Sequence, residues 1–241
     1  MKPVLYCGSI FIHTYNLMFF VAFIILTICV ILSGKKAGYK ITELIFVCMS
    51  VYIFGFIFAI LIFKLLHIKS LLSLQIGVTS YGGVLGFLIV IAYYSKITKI
   101  SFLNLADFFI IFAPLVYAIG RLGCYFAGCC RGIETNVLWS VVFPHTQISV
   151  HPVQLYDSYL NFLLFLFLIE YKDKKRFDGQ LFLLFLLGNS IIRFFVEYFR
   201  WGVSAKVVYG VITQAQIASI AIILGSLVFW KMLETREKID V

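Results

Sequence analysis

Charge is scarce in this sequence: only 13% of its 241 residues are Asp, Glu, Lys or Arg, against roughly a quarter in an average soluble chain. With 62% hydrophobic residues and a mean hydropathy of +1.02, a water-soluble domain of this length has too little polar surface to cover its apolar side chains. Alternating ten-residue strands of the kind that build a membrane β-barrel are missing too. The apolar runs instead approach the ~20 residues a helix needs to cross a bilayer. Nor does the N-terminal MKPVLYCGSIFIH carry a charged region, an apolar region and a small-residue cleavage site in that order, so no removable signal peptide is expected. No long linker, low-complexity tract or internal repeat divides the chain, and a single polytopic membrane domain over residues 1–241 is the expectation.

Seven apolar segments are present, near 14–32, 44–66, 82–94, 105–119, 153–170, 180–199 and 211–232; the third and fourth are short for full spans. A net charge of +9 would suit a nucleic-acid partner, but the basic residues sit mostly in short connections, so none is expected. Lys35, Lys36 and Lys40, Lys96 and Lys99, Lys172, Lys174, Lys175 and Arg176, and Lys231, Arg236 and Lys238 follow alternate segments, which puts 12 of the 20 basic residues on one side. By the positive-inside rule the N-terminus lies outside, the C-terminus is cytoplasmic, and the 120–152 loop faces outside. The expected fold is an all-α integral membrane protein with seven transmembrane helices.

Chemistry concentrates in residues 118–132, AIGRLGCYFAGCCRG, where Gly120, Gly123, Gly128 and Gly132 accompany Arg121, Arg131, Cys124, Cys129 and Cys130. Glycine permits sharp turns or close ligand approach, and an arginine beside apolar helices requires an anionic partner. In the sixth segment Asn189, Arg193 and Glu197 recur every four residues, with Arg200 nearly in line. Two readings stand for this face: a structural Arg193–Glu197 bridge, or guanidiniums in excess that grip a phosphate. SYGGVLG, from Ser80 to Gly86, suits either close helix packing or ligand approach. HPVQLYD places His151, Gln154, Tyr156 and Asp157 at the entrance to the fifth segment, for anchoring or for catalysis. His13 and Tyr15 on their own read as an interfacial aromatic pair.

The cysteines leave alternatives open: a disulfide among Cys124, Cys7 and the Cys129–Cys130 pair, a reactive thiol beside Arg121 or Arg131, or inert packing. A metal is not expected. Cys124-x4-Cys129-Cys130 lacks the C-x2-C spacings of structural zinc sites, and adjacent cysteines do not easily share one tetrahedral ion.

Taken in order, HTYNLM at His13, SYGGVLG at Ser80, GRLGCYFAG at Gly120, HPVQLYD at His151, RFFVEYFR at Arg193 and QAQIASI at Gln214 resemble the bacterial prolipoprotein diacylglyceryl transferase family over essentially the whole chain. The resemblance implies a multi-pass enzyme of the bacterial inner membrane, with its active site toward the outer leaflet and no cofactor. Such an enzyme moves a diacylglyceryl group from phosphatidylglycerol to the lipobox cysteine thiol of a prolipoprotein and releases glycerol 1-phosphate. It implies Arg121 and Arg193 at essential arginine positions, with Tyr81 and His13 as further catalytic candidates. Tyr15, Gly82, Gly83, Gly120, Gly123, Cys124, Gly128, His151, Gln154, Glu197 and Arg200 would line the substrate site.

The chain departs from the family where chemistry is expected. Tyr81 stands where the family has histidine before two glycines, and with an ordinary pKa near 10 it is a weak base at neutral pH. Cys124, Ala127 and Cys129 stand at two asparagine positions and a glutamate position, FGFIFAI at Phe54 lacks the family's second-span arginine, and Asn189 replaces a tyrosine. The chain therefore reads as a divergent member. An anionic phospholipid donor is expected, with a prolipoprotein acceptor, or alternatively a glycan or other acceptor, or phospholipid binding without turnover.

Overall fold

The computed structural model describes residues 4–7, 10–66, 80–144, 147–202 and 212–240, with side chains described for 13–65, 82–144, 147–202 and 212–238. A β1 (Val4–Cys7) and β2 (Ile10–His13) hairpin opens the described chain, paired antiparallel in the register Val4↔His13. Helices α1 (Thr14–Lys36), α2 (Ile41–Leu66), α3 (Ser80–Thr98), α4 (Phe102–Ile110), α5 (Ala113–Ala127), α6 (Val153–Tyr171), α7 (Gln180–Glu197) and α8 (Gln214–Asp240) follow. A second small hairpin, β3 (Val141–Val142) with β4 (Ser149–Val150), lies between α5 and α6. The fold is thus helical with two short hairpins, where the sequence suggested helices alone.

Among the described residues six helical stretches are long and apolar enough to cross a bilayer, and Gly82–Thr98 is a shorter apolar helix. The fourth apolar segment is not short, as expected from sequence, but runs over 26 residues, Phe102–Ala127. A turn at 111–112 interrupts it, and Pro114 restarts the helix in its first turn, where a missing N–H costs nothing. Consequently Gly120 to Ala127 form the last two turns of α5 and do not begin a loop. Glycine weakens a helix by only ~1 kcal/mol, and packing overrides that here: Gly123 lies against Met18 and Tyr15 of α1.

The chain divides into two compact units, one of residues Met1–Leu26 with Ile110–Val241, the other of Thr27–Phe109. In the second unit α2 and α3 meet through small residues at four-residue spacing. A side chain at Gly82 would strike the backbone at Ala59 and Phe58, and one at Gly86 the backbone at Gly55. Tyr94 Oη donates to Glu43 Oε2 at 3.0 Å between the same helices.

In the first unit polar side chains join neighbouring helices. Ser158 Oγ donates to the Ala118 carbonyl at 2.9 Å, Asn189 Nδ2 to Asn161 Oδ1 at 2.9 Å, and Gln216 Nε2 to the Phe194 carbonyl at 3.5 Å. Gln216 also closes a capping box with Thr213: each side chain accepts the other's backbone N–H, at 3.0 and 3.2 Å, and starts α8.

The segment after α5 is tied to the ends of α6 and α7. Gly132 N–H donates to the His151 carbonyl, His151 N–H to Ile133, Ile133 N–H to Phe199 and Trp201 N–H to Arg131, at 2.9 to 3.2 Å. Gly132 is wedged between the backbones of His151 and Phe199, where a Cβ has no room. Arg131 stacks over the Trp201 ring at 4.2 Å and finishes the clasp.

Candidate active site

Helical spacing puts Tyr117 and Arg121 one turn apart on α5, and Arg121 Nη2 donates to Tyr117 Oη at 2.9 Å. The same nitrogen lies 2.6 Å from Asp157 Oδ2 on α6. Arg200 Nη2 is 3.6 Å from that carboxylate oxygen, and Arg200 Nη1 is 3.9 Å from Glu197 Oε2. Arg193 Nη1 then lies 2.8 Å from Glu197 Oε2. The result is one alternating chain, Arg121–Asp157–Arg200–Glu197–Arg193, drawn from three helix ends.

Its carboxylates are inaccessible, with Asp157 at 1% and Glu197 at 2% exposure, and Arg200 is only 7% exposed. Three cations against two anions leave one positive charge in excess. The buried Nε atoms of Arg121 and Arg200 have no hydrogen-bond partner among the described residues. Burial, followed by the charges of Arg121 and Arg193, pushes the Arg200 guanidinium below its ordinary pKa. An anion with several oxygens would relieve both the excess charge and the idle donors. The Arg193–Glu197 bridge of the structural reading forms, and the guanidiniums outnumber the carboxylates they meet.

Sequence reasoning did not single out Asp157 or Tyr117 as members of this cluster. Asp157 carried a usable signal, since an ionisable residue in an apolar helix demands a partner. Tyr117, one turn before an arginine, carried almost none.

The cysteines depart most from expectation. The thiols of Cys124, Cys129 and Cys130 are free, so the disulfide alternative for them is not what forms; Cys7 has no described side chain. Helix α5 ends in Gly128 with φ 73°, and the Cys129 N–H reaches back to the Cys124 carbonyl at 3.1 Å, the reversal of a Schellman turn. Cys130 is also left-handed, at φ 58°, an uncommon state for a side-chain-bearing residue. These two reversals bring all three sulfurs within 4.8 Å of one another. The reversed backbone at 128–130 brings the adjacent sulfurs of Cys129 and Cys130 to the same side as Cys124, which ordinary helix or strand geometry would not do.

Cys130 is held below the ordinary thiol range by hydrogen bonds from Cys124 and Cys129 and by the charges of Arg200 and Arg121. Hydrogen bonding with Cys124 and Cys130 pushes Cys129 up. The sulfurs thus border the arginine chain, and Tyr15 lies within electrostatic range of all three and of Arg121.

The other expected residues are distributed as follows. His151 Nδ1 is 3.0 Å from Tyr156 Oη, which accepts the Trp139 Nε1–H at 2.7 Å, so His151 belongs to a rim network beside the clasp. Gln154 is fully buried and its Nε2 donates to the Cys129 carbonyl at 2.5 Å, which supports the thiol turn. Gly120 faces open space, whereas Gly123 is occupied by packing and Gly128 by the helix cap. His13 is exposed at the end of β2. Gly82, Gly83 and Tyr81 belong to the other unit: Gly82 faces the α2 backbone, Gly83 faces open space, and the Tyr81 side chain lies outside the described residues.

A family model described as prolipoprotein diacylglyceryl transferase matches residues 3–232. Among similar proteins, phosphatidylglycerol–prolipoprotein diacylglyceryl transferase 2 of Clostridium perfringens is 28% identical over 93% of this chain and 93% of its own. The enzyme of that family name from Clostridium tetani is 28% identical over 95% of this chain and 97% of its own. One from Pseudoalteromonas atlantica is 36% identical over 66% of this chain and 62% of its own.

Proposed function

The chain belongs to the prolipoprotein diacylglyceryl transferase family, and from that premise we propose that it transfers a diacylglyceryl group from phosphatidylglycerol to the lipobox cysteine thiol of a prolipoprotein, releasing glycerol 1-phosphate. The observation that carries this reading is the chain of three arginines against two buried carboxylates. In the reaction the acceptor sulfur attacks the glyceryl carbon, and the carbon–oxygen bond to phosphate breaks. Negative charge then grows on the phosphate oxygens. Guanidiniums fixed in advance by Asp157 and Glu197 meet that charge without reorganising, the form of stabilisation worth most in a water-poor site.

Arg121 and Arg193, at the ends of the chain, are the residues we assign to the phosphate, with Arg200 between them supplying field. Gly120, without a side chain and with no neighbour there among the described residues, leaves room for the head group beside Arg121. An apolar groove along α5 and α6, lined by Leu115, Ile119, Leu122, Leu155 and Phe162, suits an acyl chain. In this reading all seven apolar helices cross a bacterial inner membrane as one domain. The N-terminus lies outside, the basic C-terminal tail is cytoplasmic, and the site opens toward the outer leaflet.

The test is direct: purified protein is incubated with radiolabelled phosphatidylglycerol and a lipobox peptide. Thioether-linked peptide and released glycerol phosphate are expected in equal amounts. Absence of both removes the assignment.

A further inference from the structure

We propose that Cys124, Cys129 and Cys130 hold a zinc ion through three thiolates, and that its remaining position takes up the acceptor thiol as a thiolate. This rests on the transferase reading of the neighbouring arginines. Three sulfurs within 4.8 Å of one another are close to the spacing of roughly 3.8 Å set by tetrahedral Zn–S bonds of about 2.3 Å. The approach is built into the backbone. Gly128 and Cys130 are both left-handed, and the buried Gln154 braces the turn through the Cys129 carbonyl. A non-glycine residue at φ 58° is tolerated where the surroundings demand it, and such positions gather at ligand sites.

The occupant follows from charge and coordination number. Three thiolates select a soft or borderline cation over magnesium or calcium. Copper(I) is satisfied by three sulfurs and would leave a net charge of −2, whereas Zn(II) leaves −1 and an open fourth position. That open position is what an acceptor thiol requires. Three protein ligands with an open position are also the pattern of catalytic, not structural, zinc.

The chemistry balances without an oxidant or reductant. The acceptor thiol binds the ion and gives its proton to water, since a coordinated thiol is deprotonated outright. The zinc-bound sulfur attacks the glyceryl carbon, an S–C bond forms, and the C–O bond to phosphate breaks with its electron pair leaving on glycerol phosphate. The thioether, a weaker ligand than the thiolate, dissociates.

The experiment uses the full chain in nanodiscs containing phosphatidylglycerol, stripped of metal and reloaded with Zn(II) or, as a spectroscopic probe, Cd(II). One ion per chain is expected, with sulfur-to-cadmium charge-transfer absorption that increases when a lipobox peptide thiol is added. Cys124→Ser, Cys129→Ser and Cys130→Ser should each lose stoichiometric ion binding, with thermal unfolding used to check that each variant is folded. Should those variants fail to fold, alkylation of the unmutated protein decides: bound Zn(II) should protect three cysteines, and no protection overturns the site.

An ion retained by the serine variants overturns it as well. Unchanged thioether formation by metal-free protein overturns the role of the ion and leaves the transferase standing. Stoichiometric zinc and acceptor-thiol binding, with no glycerol phosphate released, supports the site and removes the transferase reading.

Discussion

Asp157 holds two arginines at once, Arg121 at 2.6 Å and Arg200 at 3.6 Å, while almost wholly buried. Asp157→Asn leaves three cations, Arg200 buried and Arg121 and Arg193 part-buried, facing one carboxylate. Breaking a buried pair by removing one partner costs about 3–5 kcal/mol, so a clear loss of thermal stability in detergent is expected; an unchanged unfolding midpoint would contradict the ion chain. Arg121→Lys keeps the charge but loses the planar fork, and Lys cannot present the free Nε donor. We expect turnover to fall by roughly 100-fold, the usual scale for losing one aligned donor to a developing oxyanion, with stability largely retained. Rates with labelled phosphatidylglycerol measure the first effect and thermal unfolding the second.

Helix contacts make sharper predictions than helix propensities do. Gly82→Leu would drive a side chain into the α2 backbone at Ala59, whereas Gly83→Ala meets nothing. The first should cost about 1–3 kcal/mol or more, the range for overpacking, and the second should lie within about 0.5 kcal/mol of the parent. Reversible unfolding in mixed micelles compares the pair, and equal stabilities would rule out close α2–α3 contact at Gly82. Gly128→Ala forces a Cβ into the left-handed cap of α5, costing on the order of 1–2 kcal/mol. Because the same turn aims Cys129 and Cys130 at Cys124, Zn(II) affinity should drop with it, which competition against a chelator reads. The periodicity of Asn189, Arg193 and Glu197 was legible because helix geometry fixes which residues share a face. The helical state of residues 120–127 was not, because glycine and cysteine suggest loops and only packing of Gly123 on Met18 outweighs that preference.

For the molecule as a whole, the distribution of basic residues predicts that a fluorescent protein fused after Val241 lights up in the cytoplasm. Alkaline phosphatase inserted near Leu138, which is fully exposed, should be active outside. The reverse pattern would invert the topology. What the sequence determined by itself was the class of molecule, since a chain with so few charges and so much apolar surface must use a bilayer as solvent. It also determined the family-like order of motifs and the expectation that Arg121 and Arg193 meet an anion. Tertiary structure alone decided which groups converge. Asp157 enters the arginine chain because α6 packs on α5, and Gly82 serves helix packing because α2 fills its open side. Cys129 and Cys130 meet Cys124 because two left-handed residues reverse the chain. Each of these rests on contacts between residues distant in sequence or on a backbone state that packing imposes, and neither is written in local composition or spacing.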